Sequence, residues 1–161
     1  PNMRSLTAAL LYPGVALLEY SKNYSVGRGT ETPFELIGAP WIQGRELASY
    51  LNGREMAGVR FYATRFQPAS APLAGQTLEG VRIVVTGRDL VSSALLGLEI
   101  AGALGKLYPG KIDFQANRRL IGSRKILEGL REHQDPRSMV SGMEDAEREF
   151  VQQRRKYLLY K

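Results

Sequence analysis

The 161-residue sequence predicts a single domain of the α/β (or α+β) class, a mixed sheet with helices packed against it. Three observations carry this. Residues 59–66 and 81–86 are rich in β-formers and alternate in polarity. Residues 91–107 hold only two charges, Glu99 and Lys106, so a helix there is apolar almost all round and belongs between layers or at an interface. Strand and helix signals then interleave along the chain, which demands layers around one core. A content of 43% hydrophobic and 24% charged residues is that of an ordinary globular domain.

Taken in order, Ser5 is placed to cap a helix through Leu6, Ala9 and Leu10, which Pro13-Gly14 should end or kink. Residues 15–20 fit a buried strand and a helical turn equally well. Residues 21–33 form a polar, glycine-bearing loop of a length that is uncommon in compact domains and often functional. A short strand follows at 34–37, and Gly38-Ala39-Pro40-Trp41 turns the chain into a helix over 45–51, closed by Asn52-Gly53. Between the strands at 59–66 and 81–86, the stretch 67–80 contains two prolines and reads as a surface excursion. The apolar helix is expected over 92–106, stopped by Tyr108-Pro109-Gly110. The last helix opens on a capping box, Ser141-x-x-Glu144, with Met143, Ala146, Phe150, Val151 and Tyr157 at helical spacing.

Composition also excludes chemistry. There is no cysteine, and the single histidine, His133, rules out a histidine triad or a multi-histidine metal site within the chain; no metal or cofactor is expected. His133 reads as a capping or solvated residue at a helix end. No run of 18 apolar residues exists, since Leu6–Leu18 is broken by Pro13-Gly14, so no membrane span is expected. The opening Pro1-Asn2 shows no charged region or cleavage site of a secretory signal. The net charge of +6 gathers at Arg118, Arg119, Arg124 and Lys125 and at Arg154, Arg155 and Lys156, on segments that read as amphipathic helices. Without helix-turn-helix, RNP or finger spacing, solvated faces explain them and a nucleic-acid partner is not expected.

The densest polar group is Ser25-Val26-Gly27-Arg28-Gly29-Thr30-Glu31. Two glycines permit close backbone approach to a ligand, Arg28 can fork onto a carboxylate or phosphate, and amides with Thr30 add donors. The competing reading is a tether in which Arg28 ties the loop to Glu31 or Glu35. Trp41, the sole tryptophan, either stacks on a sugar or plugs the core. Glu19, Glu31 and Glu35 are candidate glycosidase carboxylates only if they lie at the right separation, which spacing in sequence does not specify.

These residues resemble a known family, the NamZ-type (YbbC-like) exo-β-N-acetylmuramidases. The resemblance runs in order through Pro1-Asn2-Met3-Arg4, Leu11-Tyr12-Pro13-Gly14, Ser25-Val26-Gly27-Arg28-Gly29-Thr30, Pro33-Phe34-Glu35, Ile37-Gly38-Ala39-Pro40-Trp41, Gly80-Val81, Leu107-Tyr108-Pro109 and Tyr157-Leu158-Leu159-Tyr160. It implies a C-terminal domain whose partner is an N-terminal Rossmann-like catalytic domain of the same protein, the two flanking a cleft that releases N-acetylmuramic acid from the non-reducing ends of peptidoglycan fragments, in a bacterial, periplasmic or secreted setting. It places the catalytic glutamate outside this chain, leaving Arg28, Gly29, Thr30 and Trp41 as substrate-binding residues. The chain departs from the family pattern at Gly87, where an acidic residue is expected, and across 67–78. The rival readings are a stand-alone glycan- or anion-binding module and a basic nucleic-acid-interacting domain.

Overall fold

A computed structural model describes residues 3–70 and 72–159. Pro1, Asn2 and Tyr160, which contribute to the resemblance, lie outside the described residues. Helix α1 (Leu6–Val15) begins as expected, the Ser5 hydroxyl accepting the Ala8 amide at 2.9 Å. It does not stop at Pro13. The pyrrolidine ring lies on the exposed side, and the turn containing it is pinned from the other side by helix α3 (Ser93–Leu107). Gly14 meets that helix so closely that a β-carbon there would lie 2.1 Å from the Ser93 carbonyl oxygen; one on Gly97 would lie 2.6 Å from the Gly14 carbonyl oxygen. Packing thus holds the helix past the single backbone bond that proline removes. The ambiguous stretch that follows is helical, a 3-10 turn at Ala16–Leu18.

Strand β1 (Leu36–Ala39) starts two residues later than expected because Phe34, fully buried, adopts the left-handed conformation at φ 66°. Helix α2 (Gly44–Gly53) leads to β2 (Val59–Phe66) and β3 (Leu78–Val85). The excursion is shorter than the sequence indicated: Leu78–Gly80 join the sheet, Leu78 opposite Phe66 and Gly80 opposite Gly38. The sheet order is β1-β3-β2 with both pairings antiparallel, so of the two classes left open the domain is α+β.

The α2 helix packs on the β2–β3 hairpin and on α3, and α1 packs on α3 as well. Phe61, Val81 and Ile83 from the sheet, Leu47 and Leu51 from α2, and Leu96, Ile100 and Leu104 from α3 make one continuous core. The apolar character of α3 is answered within the domain, because α1, α2, α5 and α6 all touch it. Those last two belong to a run of short helices: α4 (Arg118–Ile121), α5 (Arg124–Arg131) and α6 (Pro136–Ser141). On α5 the basic side chains face outward and Ile126, Leu127 and Leu130 inward, as an amphipathic helix should. His133 follows α5 in the left-handed conformation, its amide donating to the Leu130 carbonyl at 3.3 Å, the capping position anticipated for it.

The expected capping box is not formed. Ser141 ends α6, and α7 (Glu144–Arg154) starts after Met143 without a side-chain cap; Glu144, Asp145 and Glu147 in its first turn act on the helix dipole instead. None of its residues is buried.

Candidate functional site

The glycine loop is built by backbone geometry. Gly27 and Gly29 sit at φ 77° and 81°, which an L side chain resists, and both are crowded. A β-carbon on Gly29 would lie 2.7 Å from the Ser70 amide nitrogen, and the Gly29 carbonyl accepts the Ala69 amide at 2.9 Å. The close approach that the sequence assigned to a ligand is therefore made to the chain's own β2–β3 excursion. Thr30 also serves the loop, its hydroxyl donating to the Gly27 carbonyl at 2.6 Å and accepting the Thr32 amide at 3.3 Å.

Gly29 and Thr30 nonetheless open onto a groove of about 630 Å³, bordered also by Arg4, Glu31, Phe66 and Arg82. Arg28 lies elsewhere. Its guanidinium pairs with Glu19 and sits 5.0 Å above the Phe34 ring. A tether is present, then, but its partner is Glu19 rather than Glu31 or Glu35, because the 3-10 turn after α1 carries Glu19 beneath the loop. Glu35 instead accepts the Ser5 hydroxyl at 2.7 Å and stands 3.9 Å from Arg82, and Glu31 borders the groove. Of the three carboxylates raised by the sequence, Glu19 and Glu35 are engaged by different partners, and Glu31 lies at the groove that Arg82 also borders.

Behind the loop, Glu19 and Arg28 border a second, partly enclosed cavity of about 70 Å³, walled by Val26, Pro68, Pro72 and Leu73. Tyr24 lines it too. That side chain is 3% exposed, and its hydroxyl has no hydrogen-bond partner among the described residues. Burial pushes the Tyr24 phenol up, so it stays a protonated donor. Ser70 borders both spaces, placing groove and cavity side by side.

Trp41 lines neither space. Its indole N–H donates to the Asn23 carbonyl at 3.0 Å and its ring meets Tyr108 edge-on at 5.4 Å, securing the beginning of the loop to the end of α3. The Tyr108 hydroxyl, pushed up to about 12 by burial, donates to the Gln43 carbonyl at 3.2 Å. Arg4, Arg82, Tyr24 and Ser70 escaped the sequence reading as site residues. Alternation along β3 marks Arg82 as outward-facing but not what it faces; a lone aromatic in a polar loop, Tyr24, was the one available signal of burial. Among the described residues no group of three or more metal-ligating side chains occurs, and no helix is long and apolar enough to cross a membrane.

In this α+β domain, cations, hydroxyls and one aromatic border an open groove. The family model described as exo-beta-N-acetylmuramidase NamZ, C-terminal, matches residues 10–160, and the chain belongs to that family. It is 34% identical, over 99% of its length, to the peptidoglycan beta-N-acetylmuramidase NamZ of Bacillus subtilis (strain 168), of which it covers 39%. Crystal structures of two DUF1343 family proteins from Bacteroides fragilis NCTC 9343 share its fold over the whole chain. One has a TM-score of 0.87 at 23% identity with 44% of that protein covered, the other 0.73 at 21% identity with 43% covered. The chain thus spans about two-fifths of the length of these relatives.

Proposed function

We propose that this domain forms one wall of the sugar cleft of a peptidoglycan exo-β-N-acetylmuramidase, which releases N-acetylmuramic acid from non-reducing ends. In this reading the catalytic carboxylate belongs to a Rossmann-like domain preceding it in the same protein. The observation that carries the reading is the groove at Gly29 and Thr30, where Arg4 and Arg82 add two cations beside the Phe66 ring. An acidic hexose offers matching chemistry: a lactyl carboxylate for a guanidinium fork and an apolar ring face for an aromatic. Arg28 contributes by holding the loop against Glu19, and Trp41 by fixing the loop's start.

The test is a titration of the chain with N-acetylmuramic acid and N-acetylglucosamine, which lacks the lactyl group. The acidic sugar should bind more tightly. Arg82→Ala should weaken it by about tenfold, the low end for a charge-assisted hydrogen bond because Arg82 is half exposed, and leave the neutral sugar unchanged. Equal binding of both sugars, or binding only to unrelated polyanions with steep salt dependence, would overturn the reading. The chain by itself should show no turnover of chromogenic N-acetylmuramides above buffer.

A further inference from the structure

The groove's two cations come from separate parts of the chain, Arg4 from the approach to α1 and Arg82 from β3. One side chain meets both segments. The Glu35 carboxylate accepts the Ser5 hydroxyl at 2.7 Å through Oε1 and stands 3.9 Å from the Arg82 guanidinium through Oε2. Glu35 is itself firmly seated: its amide donates to the Thr32 carbonyl at 3.2 Å, its carbonyl accepts the Ile83 amide at 2.8 Å, and its side chain is 13% exposed. Ser5, which directly follows Arg4, is fixed in turn, because the hydroxyl that donates to Glu35 also accepts the Ala8 amide and caps α1. A well-held carboxylate thus has one oxygen toward each cation-bearing segment, and it does not itself border the groove.

The range of the Arg82 contact matters for a ligand. Arg28 is bonded directly to Glu19 and committed to it, whereas Arg82, half exposed and beyond hydrogen-bond reach of Glu35, keeps its donors for an incoming anion. At 3.9 Å the attraction still restrains where the long side chain points, and a restrained side chain gives up less conformational freedom when it forks onto a carboxylate. We propose, on the sugar-cleft reading above, that Glu35 is a positioning residue of the groove. It aims Arg82 by direct attraction and sets Arg4 through the Ser5 cap, so that both cations are prepared for one carboxylate. Glu35 acts through the two arginines and does not touch the ligand. A carboxylate that the sequence raised as a candidate acid or base thereby governs the discrimination between acidic and neutral sugars.

The experiment is a double-mutant cycle on the 161-residue chain, read as the Kd for N-acetylmuramic acid and for N-acetylglucosamine by NMR titration. Glu35→Gln keeps an acceptor for Ser5 but removes the charge facing Arg82. It should weaken the acidic sugar by about three- to tenfold, leave the neutral sugar unchanged, and move Tm by no more than about 4 °C. Made in an Arg82→Ala background, the same change should have no further effect, because the side chain it positions is gone. Glu35→Ala, which also strips Ser5 of its acceptor, should weaken the acidic sugar more than Glu35→Gln does. Equal weakening of both sugars, a rise in affinity for the acidic one, or additive effects of Glu35→Gln and Arg82→Ala overturns the proposal, and no greater loss from Glu35→Ala refutes its Arg4 arm. If the unaltered chain prefers the acidic sugar and Glu35→Gln prefers it equally, the role of Glu35 falls while the sugar cleft stands. If the unaltered chain binds both sugars equally, or neither, the cleft reading falls and takes the role of Glu35 with it.

Discussion

At the junction of α2, α3 and α6, Arg54 grips the buried Glu99 with two bonds of 2.8 and 3.0 Å and reaches Asp135 at 2.6 Å, while Arg137 stands 3.7 Å from the same glutamate. At the glycine loop, Arg28 holds Glu19 and covers Phe34, and beside it lie an open groove and a buried hydroxyl without a partner among the described residues. Both regions use an arginine–glutamate pair to fasten a chain segment. They differ in what remains unsatisfied. The junction spends its polar groups on itself and stitches helices together; the loop region keeps spare donors and space next to its fastening. Stability resides where hydrogen-bonding capacity is used up, and the proposed binding site lies where it is left over.

The sharpest way to break that contrast is Glu99→Ala. Glu99 is 1% exposed, and its loss leaves Arg54 and Arg137 facing a void in the helix junction. Removing one partner of a buried pair costs about 3–5 kcal/mol; with Arg54 a quarter exposed, about 3 kcal/mol is expected, a Tm fall of roughly 10 °C, with unchanged sugar affinity below the transition. A loss of binding equal to the loss of stability would show that the two regions are not separate.

Gly29→Ala comes next and should combine the two losses that Glu99→Ala keeps apart. It imposes a left-handed β-carbon and a clash with Ser70, costing about 1–3 kcal/mol by denaturant unfolding, and it should reduce ligand affinity in the native state because the groove and the cavity share that contact. Arg28→Ala should be milder, about 0.5–1 kcal/mol, since the pair is partly solvated, and Arg28→Lys should recover only part of the loss because the planar fork is gone.

The smallest effect is a pH dependence at the junction. Burial raises the Asp135 carboxyl, but the Arg54 hydrogen bond and the Arg137 amide outweigh it and hold the group below its ordinary range. A carboxyl depressed in the folded state contributes stability above its unfolded value, about 3.9, and loses it as pH falls through the lower folded value. Asp135→Asn should therefore flatten the stability-against-pH curve below about pH 4 and slightly lower stability near neutrality, where the ionised carboxylate contributes. An unchanged acid slope in that variant would place the acid sensitivity elsewhere.

Local signals determined most of the architecture from sequence alone. The alternation of 59–66, the apolar run of 91–107 and the serine cap at Ser5 each depend on neighbours a few residues away, so the chain displays them directly. The same locality made the glycine loop conspicuous. Its partners were invisible for the opposite reason. That Arg28 meets Glu19 rather than Glu31 or Glu35, that Gly29 touches Ser70, that α1 outlasts Pro13 because Gly14 lies against Gly97, and that Ser141 caps nothing are consequences of where distant segments stop in space. Arg4, Arg82 and Tyr24 joined the candidate site the same way, brought from α1's approach, β3 and the loop to two adjoining spaces that no stretch of sequence contains. Short-range preferences choose helices and turns; only packing across the chain decides which polar groups are used up and which remain free for a ligand.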